Sequence, residues 1–436
     1  MHRGLAVFFL LALIMRGAGP GMIADYASVI LDTQRRLDTA ATIAAIQRLN
    51  ANTYFYLVHS VADWEMMRDK FLPAAARAGL DVWLYFVPPS ECPDTCTLPF
   101  EKDYIRIAAE TARLGLAYPN LKGLAIDDFA YNVALYTPEY IGRLRDAGRA
   151  VNPEFQFYPL LYWRSMTPEF LDRYARVIDG VIFAYRDEPT INTSRNTTLR
   201  AQLDRAEALT RERALKLVLM VYCAPLSRIP IPPGVEYVRE SVAMGVADVK
   251  QGKLAGVVTY KLDKSGRRGE EAGGRATILV SGPNLEAGAY GELSCPAAAE
   301  RAALSFRHTA FYVRLPAGRL FLQVLADDRV AWEQDLAATE SKSWKEQRIE
   351  LGPVRGRLRV RLALKRNAGS LQAIAGVDHL VPEGFTLADP GFAQPAAWTV
   401  AQTAPAFLPM VQIDDPRRPI RMFEAVREIY GAARLP

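Results

Sequence analysis

Two adjacent aspartates, Asp127 and Asp128, end the strand-like part of the run LKGLAIDDFAYN at residues 121–132. Leu124 and Ile126 alternate there with Gly123 and Ala125, the period of two expected of a strand. The small residues suit a crowded interior and the large ones a face covered by helices. Asp127 continues the small side and should point inward, with Asp128 at the start of a loop. Neighbouring carboxylates repel, so one pKa should rise. One site can then hold an acid and a base at the same pH. The plainer alternative is a helix cap beside a solvated aspartate.

Further candidates lie at the ends of other strand-like runs. In chain order these ends supply Asp32, His59, Tyr85 followed by Glu91, then Tyr131 and Asn132 beyond the aspartates. Next come Tyr162, Trp163 and Arg164, then Tyr185, Arg186, Asp187 and Glu188. Tyr222 with Cys223 and Tyr260 with Lys261 complete the set. Aromatic rings stack on the apolar faces of sugars, and carboxylates accept hydrogen bonds from hydroxyls. Carboxylate pairs also cleave glycosidic bonds, one protonating the leaving oxygen while the other supports the oxocarbenium-like centre. Asp127, Asp128, Asp187 and Glu188 are therefore the catalytic candidates. Asp32, His59, Tyr85, Tyr131, Asn132, Tyr162, Trp163, Tyr185, Arg186, Tyr222 and Tyr260 are the candidates for substrate contact. Any one of these rings alone would more simply fill the interior.

Positioning such a set takes a repeating scaffold. Strand-like runs at 26–32, 53–59, 81–87, 122–127, 155–162, 180–185, 215–222 and 254–260 alternate with helix-like ones. Thr137-Pro138 and Thr167-Pro168 read as helix starts, a cap followed by a proline at the first helical position. Eight such units over about 250 residues predict a (β/α)8 TIM barrel, with its site at the C-terminal ends of the strands. A doubly wound open sheet would usually carry a glycine-rich first turn, and none is present. After Gly266 the pattern turns to short alternating runs, which predict a smaller all-β sandwich domain. The expected organisation is a leader at 1–21, a catalytic barrel at 22–265, an accessory sandwich at 275–385, and an extension at 386–436 with a terminal helix.

Ile126-Asp127-Asp128-Phe129 after a fourth strand resembles glycoside hydrolases with this fold. Adjacent aspartates there are similar to those of the O-GlcNAc hydrolase, or hexosaminidase-like, group. That likeness implies that Asp127 orients an acetamido group and Asp128 is the acid/base. The chain also resembles the α-galactosidase-like clan, with an Asp after strand four and a carboxylate after strand six. On that plan Asp127 or Asp128 is the nucleophile and Asp187 or Glu188 the acid/base. Many retaining barrel glycosidases carry a nucleophilic Glu on strand seven; here that end is Tyr222-Cys223-Ala224-Pro225. The sandwich resembles accessory carbohydrate-binding modules, with Phe385 and Trp398 as compatible aromatics.

Composition narrows the alternatives. The 436 residues carry 53 Lys and Arg against 48 Asp and Glu, a net charge of +5 that gives nucleic acid little to bind. The four histidines are His2, His59, His308 and His379, too few in the barrel for an imidazole metal centre. No Gly-x-Gly-x-x-Gly or Walker-type loop is present, so no metal or organic cofactor is expected. A basic start and an apolar run at 5–15 read as a secretory signal, too short to span a bilayer. The protein is then exported, periplasmic or secreted, or held by an uncleaved anchor. In that setting Cys92 and Cys96 predict a small loop disulfide. A carbohydrate substrate fits all of this. The rival readings are a barrel that binds carbohydrate without catalysis and a structural surface-assembly protein.

Overall fold

The computed structural model describes residues 21–91, 97–188, 193, 195–225, 233–265, 276–281, 286–294, 299–314, 320–326, 329–336, 341–354, 357–366, 372–390, 397–402, 411–413 and 417–433. The leader and the Cys92–Cys96 pair lie outside them. Eight parallel strands close into a barrel: β1 (Met22–Tyr26), β2 (Thr53–Val58), β3 (Asp81–Phe86), β4 (Leu121–Ile126), β5 (Gln156–Leu161), β6 (Gly180–Tyr185), β7 (Lys216–Tyr222) and β8 (Gly256–Tyr260). β8 pairs with β1 from Met22↔Gly256 to Tyr26↔Tyr260.

Strand parity decides what each side chain can do. Ala24, Tyr26, Phe55, Trp83, Tyr85, Ala125, Tyr158, Tyr162, Ile182, Ala184, Val218, Met220, Tyr222 and Val258 fill the interior. Their neighbours in sequence, such as Leu124, Ile126, Phe183 and Tyr185, pack outward against helices. Filling a barrel with this many rings needs small partners. Gly123 supplies one: a Cβ there would come within 2.2 Å of the Gln156 carbonyl oxygen and 2.9 Å of the Trp83 ring.

The first strand lies earlier than its β-prone sequence predicts. It ends at Tyr26, and Ala27 and Ser28 turn the chain with φ of 63° and 54°. Asp32 is therefore not a strand end. It sits in a loop and accepts from the Gln34 and Arg36 backbone N–H groups and from the Arg36 guanidinium.

The outer layer is α1 (Thr39–Arg48), α2 (Val61–Met66) joined by a π-turn to α3 (Leu72–Arg77), α4 (Tyr104–Ala117), α5 (Pro138–Val151), α6 (Pro168–Tyr174), α7 (Leu199–Arg211) and α8 (Val235–Lys250). Thr137 and Thr167 cap α5 and α6, accepting from Tyr140 and Phe170 N–H, as their sequences predict. Ser60 caps α2 and Asp63 reciprocates, an exchange that satisfies both ends of the turn.

Beyond the barrel, two antiparallel sheets form the β domain. One runs β13 (Arg329–Asp335), β12 (Leu320–Ala326), β15 (Arg357–Arg366), β10 (Glu286–Ser294), β17 (Thr386–Leu387), with β18 (Trp398–Gln402) also on β10. The other runs β14 (Ser341–Val354), β11 (Ala299–Arg314), β16 (Gln372–Glu383), β9 (Ala276–Ser281), β19 (Val411–Ile413). Phe385 and Trp398 are buried, and the Trp398 indole donates to the Asp389 carbonyl at 3.2 Å. These two rings pack the domain instead of facing a ligand.

The terminal helix α9 (Arg418–Ala433) returns to the barrel and occupies the helix position that follows β8. Its Met422, Phe423, Val426 and Tyr430 join the helix-side core. The Tyr430 hydroxyl donates to the Ala24 carbonyl at 2.8 Å, and Lys250 Nζ donates to the Ala432 carbonyl at 2.7 Å. Tyr430→Ala should therefore cost the barrel about 3–5 kcal/mol, as for other buried aromatic truncations. Denaturant unfolding followed by near-UV circular dichroism checks this. An unmoved midpoint would show that the helix lies outside the barrel's cooperative unit.

Candidate active site

Three carboxyls meet at the C-terminal mouth of the barrel. Each of Glu91, Asp127 and Asp128 places an oxygen within 4.8 Å of the others. Asp127 follows β4 on its inward face, and its backbone N–H donates to the Phe86 carbonyl. Asp128 takes a left-handed conformation, φ 41° and ψ 36°. That conformation is costly without glycine and collects at functional sites. Its backbone N–H donates to Asp127 Oδ1 at 2.8 Å, while its own Oδ1 is buried without a hydrogen-bond partner. Glu91 ends a short 3-10 turn after β3 (Pro89–Glu91). Asn132 laces the two loops together, donating to Ser90 Oγ at 2.9 Å and to the Asp128 carbonyl at 3.0 Å. Asn132 thus positions Glu91 and Asp128 against each other.

Burial and then repulsion from Asp128 push Asp127 up to about 7. The Asp128 N–H, the nearby Tyr85 phenol and Lys261 hold it lower than it would otherwise be. Glu91 is exposed as a residue but turns its carboxyl into the cluster. Partial desolvation there, then the charges of Asp127 and Asp128, push it up to about 8. Near neutrality the cluster therefore retains a proton among closely spaced carboxyls, which is what acid/base chemistry needs.

A cage of phenols surrounds them. The Tyr26 ring lies 4.1 Å from Tyr85 and stacks on Tyr260 at 5.1 Å. Tyr222 meets Tyr260 edge-on at 5.0 Å, and its hydroxyl lies 3.5 Å from that of Tyr162. Burial raises the phenols of Tyr26, Tyr85 and Tyr162 well above their ordinary range, and the carboxylates raise them further. They remain protonated hydrogen-bond donors. Tyr131 stands 63% exposed at the rim, 6.0 Å from Tyr162, as an open ring surface.

Two cations adjoin the cage. The Arg186 guanidinium lies 3.6 Å from the Tyr162 ring centre. Lys261 follows β8 with φ 55° and sets its ammonium 5.2 Å from the Tyr260 ring centre. Its charge lowers Asp127 and Glu91 and reaches His59, whose pKa burial also lowers.

The structure therefore gathers Asp127, Asp128, Tyr85, Tyr131, Tyr162, Arg186, Tyr222 and Tyr260, with Asn132 behind them and His59 at the edge. It does not gather Asp32, Trp163, Tyr185, Asp187 or Glu188. Tyr185 faces the helices, stacks on Tyr237 and donates to Asp187. Asp187 Oδ1 also accepts from the Thr198 N–H and hydroxyl, which fixes the start of α7. Glu188 is ion-paired to Arg186 at 2.7 Å and Arg164 at 3.2 Å. Trp163 packs on the helix-side core beside Phe183. A carboxylate after strand six is thus present, but it is engaged by neighbouring side chains and stands outside the carboxyl cluster.

Glu91, Lys261 and Tyr26 are the site residues that sequence reading does not select. Glu91 and Lys261 stand among the strand-end residues; only convergence in space marks them. Tyr26 is concealed because β-prone residues continue past the true end of β1. The same three carboxyls are also the group among the described residues whose spacing could embrace a hard cation.

No family model matches the chain, and no curated protein matches it. Among solved structures the similarities are distant. β-Glucuronidase 2 of Bacteroides uniformis, as a calcium-binding mutant, is similar at 7% identity and a TM-score of 0.47, over 82% of this chain and 64% of that one. A glucosidase from Croceicoccus marinus is similar at 9% identity and 0.43, over 82% and 95%. Xylanase A of P fluorescens subsp. cellulosa, a point mutant in complex with xylopentaose, is similar at 14% identity and 0.40, over 56% and 88%. The chain spans a little under two-thirds of the length of the glucuronidase, 64%. Likeness this distant says nothing about chemistry, which rests on the residues above.

A carboxyl whose folded pKa is raised binds more protons in the native state than in the unfolded one. Its contribution to stability therefore falls as pH rises from the ordinary Asp value towards 7. Asp127→Asn should remove that penalty. It should stabilise the protein by about 1–2 kcal/mol at pH 8, discounted for partial exposure, and by little at pH 4. Thermal unfolding at the two pH values checks both the sign and the window.

Proposed function

We propose that the protein is a glycoside hydrolase acting by carboxyl acid/base catalysis at the C-terminal mouth of the barrel. The observation that carries this reading is the convergence of Glu91, Asp127 and Asp128 inside a phenol cage, with two of the three pKa values raised towards neutrality. Phenol faces and the open ring of Tyr131 suit a pyranose, and the remaining phenol hydroxyls can donate to its oxygens. In this reading a protonated carboxyl of the cluster donates to the departing glycosidic oxygen as that bond breaks. An ionised neighbour stabilises the cationic ring or activates the water that replaces the leaving group. We assign the proton-holding role to the pair Glu91 and Asp127. Export, as a periplasmic or secreted enzyme, accords with the apolar leader. No described helix is long and apolar enough to cross a membrane.

Aryl glycosides and oligosaccharides of several sugars provide the test. Asp128→Asn and Glu91→Gln should each lower kcat by about 10²–10⁴-fold while the fold is kept. Activity at the level of the parent protein in both variants would end the assignment. The rate should fall as pH rises through about 8, where the Glu91 proton is lost. Activity should also persist in EDTA. Loss there, with recovery on adding a divalent cation, would favour a cation in the cluster over a shared proton.

A further inference from the structure

Cleavage of a glycosidic bond uses two carboxyls, and the mouth of this barrel holds three. Glu91, Asp127 and Asp128 bring oxygens within 4.8 Å of one another, and none of them forms an ion pair with a described residue. Other carboxyls that the fold takes out of water are neutralised at contact distance. Asp25 meets Lys264, Glu188 meets Arg186, and Asp248 meets Arg200. At the mouth, the cation that acts on the cluster is Lys261, which reaches Asp127 and Glu91 through space without an ion-pair contact. One ammonium and the acid's own proton stand against three carboxyls, so the mouth stays negative.

Two buried polar atoms in the same place lack a partner. Tyr85 is fully buried with its phenol beside Asp127, and its hydroxyl meets no partner at hydrogen-bond geometry. Asp128 Oδ1 is buried and equally without one. Such atoms cost free energy until something completes them. A ligand can reach them, because Glu91 is exposed and Asp127 and Asp128 are only half-buried. The nearby rings already turn their faces to positive charge, Tyr162 to the Arg186 guanidinium at 3.6 Å and Tyr260 to the Lys261 ammonium at 5.2 Å.

We propose that the sugar ring bound at the mouth carries a free, protonated amine, and that the third carboxyl of the cluster is its counter-ion. The inference rests on the hydrolase reading and adds the class of substrate, amino sugars that are not N-acylated. An ammonium brings three donors and no acceptor, which suits a site whose open groups are carboxyl oxygens. The number of carboxyls then has a reason. A ring that already carries an ammonium resists the further positive charge of an oxocarbenium-like transition state. A carboxylate against the amine offsets that repulsion and leaves two carboxyls for the reaction. Hydroxyl and N-acetyl sugars bring no charge and leave the third carboxyl without a task.

Binding to the full chain tests this, by calorimetry or ligand-observed NMR in low salt at about pH 7, where such an amine is largely protonated. The probes are the methyl glycosides of glucosamine and galactosamine, each beside its N-acetylated form and the parent glucoside or galactoside. At least one amino sugar should bind about tenfold more tightly than both of its neutral counterparts, the scale of one charge-assisted contact. Asp128→Asn should abolish that gap; asparagine accepts the left-handed backbone at this position, so the fold is kept, as circular dichroism would confirm. Lys261→Asn, at φ 55°, removes the competing cation and should widen the gap. A mouth that was merely loosened would not move the two variants in opposite directions. Neutral sugars that bind as tightly as the amino sugars, a gap unmoved by Asp128→Asn, a gap narrowed by Lys261→Asn, or one that disappears in EDTA overturns the proposal. Hydrolysis of neutral glycosides with no preference for the amine removes this inference and leaves the hydrolase assignment. Preference for the amine with no hydrolysis of any glycoside does the reverse.

Discussion

Closure of the barrel between β8 and β1 is the constraint on which everything else depends, and a buried ion pair holds it. Lys264 Nζ donates to Asp25 Oδ2, and both side chains are fully buried. Lys264 also donates to the Ala27 carbonyl at 2.8 Å, and Thr259 donates to Asp25 Oδ1 at 2.8 Å. Burial pushes Asp25 up even though Lys264 opposes it. A pair of this kind adds little net stability, but removing one partner strands a charge and costs about 3–5 kcal/mol. Its effect is to specify geometry. Parallel strands have no hairpin to hold their register, and this seam joins the first strand to the last.

That seam also builds the site. Tyr26 and Tyr260 are its last paired residues, and their rings stack over the mouth. Lys261 hydrogen-bonds through its N–H to the Tyr26 carbonyl and turns its ammonium back towards the carboxyls. The mouth thus concentrates unfavourable terms: repelling carboxyls, an unpartnered Asp128 oxygen and left-handed backbone at Asp128 and Lys261. Such terms persist only where the surroundings over-determine them. Here the interior rings do so, since Trp83, Tyr158 and Phe55 lock one another below the mouth.

The eight-unit alternation and the inward turn of Asp127 are legible because both depend on periodicity, which a sequence states directly. Parity, applied to every strand, also separates Tyr162 from Trp163 and Arg186 from Tyr185, because neighbouring residues face opposite sides. Other features lie beyond periodicity. Asp187 looks free in sequence and is consumed by Thr198, eleven positions on. The first strand's end is misread because Val29, Ile30 and Leu31 are β-prone, while backbone turns at Ala27 and Ser28 have already ended the strand. Strand β10 is hidden because its two glycines interrupt the alternation.

The chain's order couples the site to the fold as a whole. The β domain stands between β8 and α9, so the helix that covers the seam is the last part of the sequence. Tyr430 reaches Ala24 across 406 positions, and Lys264 reaches Asp25 across 239. Contacts of such separation are made only after much of the chain's entropy has been lost. The site draws Tyr26 from the first strand, the carboxyls from the third and fourth loops, and Lys261 from the eighth strand's end. No local unit of the sequence contains it. The raised proton affinities of Asp127 and Glu91 therefore arise only once the cylinder is closed, because burial, the leading cause of both shifts, does not exist before that point.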